Sequence, residues 1–284
     1  MSASAAPPQY RAIVIDEGQD CSPVLIRLAR QLLITSRGQL TVLADPAQAI
    51  YECGFQWTQD EIKPKGGNVR YLRKNYRTTR QIYDLAGDLL DNSVDSREDR
   101  DQMQPPDRLG PKPVFTVVLD EPELFRVLVA KIKQELVSRS PSQIAVLAAN
   151  WDTLKRIEDQ LRSCSIAVGI GARGAINLNE PTVKLLSMHS VKGLDFPIVF
   201  VVGPKLKDLG GAARAELPET RRVLYVALTR ASEQLTILAL DQAHHPLLED
   251  LVPECYEAEG VLAQGFINRR GISMSRDGIV VQRI

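Results

Sequence analysis

Two adjacent acids close an apolar run near the start of the chain, Ala12-Ile13-Val14-Ile15-Asp16-Glu17. A carboxylate that holds a divalent cation, beside one that polarises a water, is what phosphoryl transfer from a nucleoside triphosphate requires. A second apolar run, Leu40-Thr41-Val42-Leu43-Ala44, leads into Asp45-Pro46-Ala47-Gln48-Ala49-Ile50-Tyr51, and Leu72-Arg73-Lys74-Asn75-Tyr76-Arg77-Thr78-Thr79 precedes a helical pattern. Acids, a glutamine and an arginine at strand ends and helix starts can converge on one crevice of an open α/β sheet. The Gly-rich cradle that such chemistry uses for phosphates, G-x-x-x-x-G-K-[ST], occurs nowhere in the 284 residues.

The second half repeats the arrangement. Leu185-Leu186-Ser187-Met188-His189-Ser190-Val191-Lys192-Gly193-Leu194-Asp195-Phe196 reads as a strand and a turn carrying His, Lys and Gly, followed by the apolar strand Ile198 to Val202. Arg221-Arg222-Val223-Leu224-Tyr225-Val226-Ala227-Leu228-Thr229-Arg230-Ala231 is an amphipathic helix with arginines at both ends.

These residues need elements to position them. Strands are predicted at 12–15, 40–44, 114–119, 144–148, 183–187, 198–202 and 235–240, and helices at 22–33, 79–90, 122–137, 151–161 and 219–231. Short β-rich runs alternating with helical periodicity define an α/β chain with parallel sheets. Residues 1–9 read as a disordered tail, 10–92 as a first lobe, the polar, proline-bearing stretch 93–113 as a linker, and 114–284 as a second lobe.

Composition narrows the class. With 35 basic and 35 acidic residues the net charge is zero, so any track for nucleic acid is local rather than global. Cys21, Cys53, Cys164 and Cys255 form no C-x-x-C pair, which argues against a zinc knuckle or a disulfide framework and fits a reducing, cytoplasmic setting. The first residues have neither a basic head nor a long apolar stretch, so neither a signal peptide nor a membrane anchor is expected.

The ordered series from Val14-Ile15-Asp16-Glu17-Gly18-Gln19-Asp20, through Asp45 to Tyr51, Asn75-Tyr76-Arg77 and His189 to Phe196, to Tyr225-Val226-Ala227-Leu228-Thr229-Arg230-Ala231, resembles the carboxyl-terminal part of a UvrD/Rep-like superfamily 1 DNA helicase. The resemblance runs from about Tyr10 to Leu240 and leaves 241–284 unmatched. It implies two RecA-like lobes of the P-loop NTPase type, the first incomplete, and ATP and Mg²⁺ as cofactors.

Carried over by resemblance, Asp16 holds Mg²⁺, Glu17 polarises the attacking water, and Gln48 senses the γ-phosphate. Arg77 contacts that phosphate, Tyr76 stacks on adenine, and Arg230 is the arginine finger. Gly193 and Asp195 fall on the nucleotide side. His189, Ser190 and Lys192 fall on the side of single-stranded DNA, where Tyr51 and Trp57 supply stacking surface. The pattern departs from the family at Cys53, which replaces a tryptophan and leaves Phe55 and Trp57 slightly downstream, and at Asp195, where a ribose-contacting glutamate is usual. The stretch between Arg77 and His189 is too short for the family's large helical insertion.

Three readings follow. The first is the motor portion of an ATP-dependent DNA helicase, 3′ to 5′ on single-stranded DNA and associated with DNA repair. In this reading the chain is truncated or split, is inactive as an ATPase by itself, and has a protein partner supplying the missing amino-terminal lobe. The second is a non-catalytic DNA-binding or protein-interaction module derived from such a helicase. The third is an unrelated α/β enzyme, for which the sequence offers no separate nuclease, metal or nucleophile constellation. The remaining first-lobe sheet, 12–15 beside 40–44, is expected to leave an apolar edge exposed.

Overall fold

The computed structural model describes residues 10–34, 37–45, 48, 70, 72–89, 104–171, 176–203, 218–241, 246–260, 272–275 and 278–281. The chain divides into two compact units, Met1–Tyr71 and Leu72–Ile284.

In the first unit β1 (Ala12–Ile15) and β2 (Gln39–Val42) pair in parallel, Ala12 opposite Gln39 and Ile15 opposite Val42. The crossover between them is α1 (Pro23–Gln31). Its start is written in the sequence: the Ser22 side chain accepts from the Leu25 N–H, and Pro23 occupies the first turn, where no backbone donor is required. Ile26, Ala29 and Leu33 face inward, whereas Val24, Leu25 and Leu28 lie exposed on the same helix. Val14 of β1 is 65% exposed.

The second unit is built on seven parallel strands in the order β5-β6-β4-β7-β8-β3-β9. They are β3 (Val114–Val118), β4 (Ile144–Ala148), β5 (Val168–Ile170), β6 (Val183–Ser187), β7 (Phe196–Val202), β8 (Ala231–Leu240) and β9 (Glu257–Gly260). Central strands of a parallel sheet are buried on both faces and therefore read as continuous apolar runs. Ile144 to Ala148 and Ile198 to Val202 do so, and every one of these residues is buried.

Helices α3 (Glu121–Glu135) and α4 (Trp151–Ser163) close one face, with Leu124, Leu128, Ile132, Leu154, Ile157 and Leu161 packed in one core with strand residues such as Val146, Val183 and Phe200. Both helices are capped by the residue that precedes them: Asp120 accepts from Glu123 N–H at 2.8 Å, and Asn150 from Thr153 N–H at 2.8 Å. Helices α2 (Arg80–Gly87) and α5 (Pro218–Leu228) pack on each other and on β8.

The structure divides the chain earlier than the sequence-based boundary at 92. Ile82, Leu85, Ala86 and Leu89 of the α2 region are buried within the second unit, which groups α2 with β3 to β9. The described part of the expected linker is strapped to the same region, since Arg80 N–H donates to the Arg108 carbonyl and Gly110 N–H to Gln81 Oε1.

Two further differences have plain causes. The helix expected over 219–231 stops at Leu228 because Ala231 is already paired with Phe196, and β8 begins there rather than at 235. Its polar start, Ser232-Glu233-Gln234, passes a register shift between Phe196 and Ile198, so ladder bonds rather than hydrophobicity set the strand's beginning.

The unmatched carboxyl-terminal stretch is also placed. Turns at Pro246–Asp250 and Pro253–Cys255 lead into β9, which adds to the edge of β3 with Val114 opposite Glu257. A hairpin of β10 (Ile272–Ser275) and β11 (Gly278–Val281) follows. Among the described residues no helix is long and apolar enough to cross a membrane.

Candidate nucleotide and nucleic-acid sites

The first unit joins the carboxyl ends of β1 and β2 through one polar chain. Asp16 Oδ1 accepts from the Glu17 N–H at 2.9 Å, and Glu17 Oε2 accepts from Gln19 Nε2 at 2.6 Å. Gln19 Oε1 then takes the Asp45 N–H at 3.0 Å, and Asp45 Oδ2 takes Gln48 Nε2 at 2.7 Å. Asp16, Glu17 and Gln48, three residues singled out from sequence, thus share one connected site.

Its geometry is held by two backbone features. Glu17 sits in the left-handed region at φ 53°, ψ 41°, which costs an ordinary residue about 1–3 kcal/mol and persists only where its surroundings impose it. Gly18 approaches β2 so closely that a Cβ there would lie 2.3 Å from a Val42 methyl, and its N–H donates to the Leu43 carbonyl at 2.8 Å. Gln19, buried and bridging both strand ends, had no role from the sequence, and its place in the Asp16-Glu17-Gly18-Gln19-Asp20 run was its only signal.

The second unit assembles a different group. Arg77 Nε lies 2.9 Å from Asp195 Oδ2, and Arg230 Nη1 lies 3.7 Å from Asp195 Oδ1. Arg230 is 1% exposed, with Nε donating to the Val226 carbonyl at 3.0 Å and Nη2 to Thr229 Oγ1 at 3.3 Å. Arg77 follows a side-chain turn in which Asn75 Oδ1 accepts from the Arg77 N–H at 2.8 Å. Tyr76 is 78% exposed, and the Lys74 ammonium lies 5.3 Å from its ring centroid. The sequence grouped Arg77 with the acids of the first crevice; the contacts described for it lie in the second unit, with Asp195.

The turn after β6 carries the remaining candidates. Ser187 and Ser190 bond each other reciprocally, hydroxyl to hydroxyl at 2.6 Å and each backbone N–H to the other's oxygen. Ser190, expected to touch DNA, therefore also closes the turn. Gly193 adopts φ +79° with open space where a Cβ would project, so the backbone conformation rather than crowding favours glycine. His189 keeps an exposed face, yet loss of solvent around its ring holds its pKa below the ordinary imidazole value. Lys192 is half-buried in the same turn. Tyr51, Cys53, Phe55 and Trp57 lie outside the described residues.

Whether these donors suit Mg²⁺ follows from their number and type. Among the described residues no group of three or more His, Cys, Asp or Glu side chains could cage a metal. Magnesium at a phosphate site takes one or two carboxylates and completes its shell with water and phosphate oxygens, so Asp16 beside Glu17 fits that role.

Residues 3–59 match the model of the UvrD/REP helicase N-terminal domain, a range that includes Asp16, Glu17 and Gln48. Residues 172–242 match the UvrD-like helicase C-terminal domain, a range that includes His189, Asp195 and Arg230. The chain is 29% identical over 238 residues to the ATP-dependent DNA helicase UvrD2 of Mycobacterium tuberculosis (strain H37Rv), covering 79% of this chain and 33% of that protein. It is 45% identical over 64 residues to the ATP-dependent DNA helicase PcrA of Staphylococcus aureus (strain MRSA252), covering 20% of this chain and 9% of that one. The chain thus spans a third or less of the length of these curated relatives. A solved structure, the C-terminal domain of a possible DNA helicase from a Lactobacillus (strain WCFS1), shares the fold with a TM-score of 0.50 and 19% identity, over 66% of this chain and 99% of that one. Matched in order to models of both helicase domains, the chain is similar along its length to UvrD-like superfamily 1 helicases.

Proposed function

We propose that the chain is a motor portion of a UvrD-like helicase that couples ATP hydrolysis to 3′ to 5′ movement on single-stranded DNA, with the phosphate-cradling loop supplied from outside these 284 residues. The observation that carries this reading is the unbroken chain Asp16-Glu17-Gln19-Asp45-Gln48 at the ends of two parallel strands.

In this reading Asp16 would hold Mg²⁺, which neutralises charge on the phosphate oxygens. Glu17 accepts a proton from the attacking water, and its bond from Gln19 fixes the carboxylate's direction. Gln48, tethered to Asp45, reports the state of the phosphate to the strand ends. Arg77 and Arg230 meet the transferred phosphoryl group with planar forks suited to its oxygens. Tyr76 offers an exposed ring to the base. His189, Ser190 and Lys192 line the turn proposed to meet DNA, and Tyr51 and Trp57 remain its proposed stacking residues.

The test is DNA-stimulated ATP hydrolysis by the chain alone and with a separately expressed amino-terminal lobe that carries a phosphate-binding loop. Activity only in the mixture is expected. No activity in either, with single-strand binding retained, would leave a DNA-binding module in place of a motor.

A further inference from the structure

Two guanidinium groups from distant parts of the chain meet a single carboxylate in the second unit. Asp195 presents one oxygen to each, Oδ2 to Arg77 at 2.9 Å and Oδ1 to Arg230 at 3.7 Å. Both contacts are ion pairs, the first close and the second too long to be a hydrogen bond. The backbone keeps all three near each other. Phe196 N–H, next to Asp195, donates to the Arg230 carbonyl at 3.0 Å, while the Asn75 turn fixes the start of Arg77. Arg230 is locked by Val226 and Thr229, whereas Asp195 and Arg77 are both more than a third exposed, so solvent and solutes reach the carboxylate's side of the cluster.

The part-exposed Arg77 guanidinium has more donors than one carboxylate oxygen can satisfy, and a phosphoryl group offers three oxygens with more charge. We propose that Asp195 is an internal stand-in for a phosphoryl group: its carboxylate holds Arg77 and Arg230 together and yields its place to a phosphoryl oxyanion. The inference deepens the proposed nucleotide role of these arginines and rests on that reading for its biological ligand. The chemistry itself needs only a phosphate-bearing anion. Asp195 is accordingly a competing group, and its negative charge opposes occupancy until the anion displaces it.

The experiment titrates the whole chain with inorganic pyrophosphate, without divalent metal and at constant ionic strength, by calorimetry. Asp195→Asn removes the charge at constant shape and is expected to bind pyrophosphate about three- to tenfold more tightly than the parent, the scale of one or two solvent-screened ion pairs. Asp195→Glu, which restores the charge, is expected to return affinity towards the parent value, and Arg77→Ala added to Asp195→Asn is expected to erase the gain. Equal or weaker binding by Asp195→Asn overturns the proposal. The two readings separate cleanly: loss of the affinity gain with ATP hydrolysis intact in the reconstituted mixture sinks the stand-in role alone. A gain without any hydrolysis sinks the motor and leaves the stand-in standing.

Discussion

At the scale of single residues, burial decides which substitution reports on chemistry. Arg230 is enclosed and bonded to Val226 and Thr229, so Arg230→Ala removes a buried, hydrogen-bonded side chain and mixes a folding defect with any loss of activity. Arg77 is the cleaner probe because its side chain is 44% exposed. Arg77→Ala is expected to lower hydrolysis in the reconstituted mixture by about 100-fold or more, as loss of a transition-state charge contact does. Its unfolding midpoint in denaturant should correspond to a change within about 0.5 kcal/mol. An unchanged rate would remove Arg77 from the catalytic group. Asp16, Glu17, Gln48, Arg77 and Arg230 stood out in the sequence by residue type and by the order of the motifs that carry them. Gln19 and Asn75 did not, because their roles are hydrogen bonds whose partners only folding brings into reach.

At the scale of elements, the carboxyl-terminal segment is held by groups that the sequence could not pair. Arg221 of α5 donates to Asp250 at 2.8 Å and to the Leu89 carbonyl at 3.3 Å, and Asp88 accepts the Val252 N–H at 2.9 Å. Both charged side chains of the ion pair are almost buried, so Arg221→Ala strands a carboxylate and is expected to cost about 3 kcal/mol or more in chemical denaturation. A loss below about 1 kcal/mol would mean that water reaches Asp250 freely. In the same segment, Phe115 of β3 meets Tyr256 edge to face with ring centroids 5.3 Å apart. Burial, with lesser help from nearby acids, pushes the Tyr256 phenol up to about 12 and the Cys255 thiol up to about 11. Both groups ionise more readily once unfolded, so their contribution is complete below the unfolded values and is lost as pH climbs from about 9 towards 12. Tyr256→Phe keeps the ring contact and removes one of the two ionisations, so its alkaline unfolding midpoint should move upward; a midpoint that stays put or falls would contradict the assignment. The strands β5 and β9 escaped sequence reading for a related reason. They are three and four residues long and form because β6 and β3 offer them an open ladder, not because of their own periodicity.

At the scale of the whole molecule, a net charge of zero means that the proposed DNA affinity would have to come from local contacts. The logarithm of affinity should then fall only shallowly with the logarithm of salt, at about 0.7 per phosphate contacted on a single strand. Lys192→Ala is expected to reduce that slope by about one contact with little change in stability, and an unaltered slope would take Lys192 off the DNA track. The sequence by itself determined the fold class and the chemical inventory. Buried parallel strands must be continuously apolar and caps must precede their helices, while the acids and arginines are fixed as types by the chain itself. Tertiary structure alone decided the grouping: α2 with the second unit, Asp16 with Gln48 through Gln19, and Arg77 with Arg230 through Asp195. Periodicity and composition are properties of neighbours along the chain, whereas an ion pair between residues 77 and 195 depends on which strands lie side by side, and that order is settled only when the sheet closes its ladder.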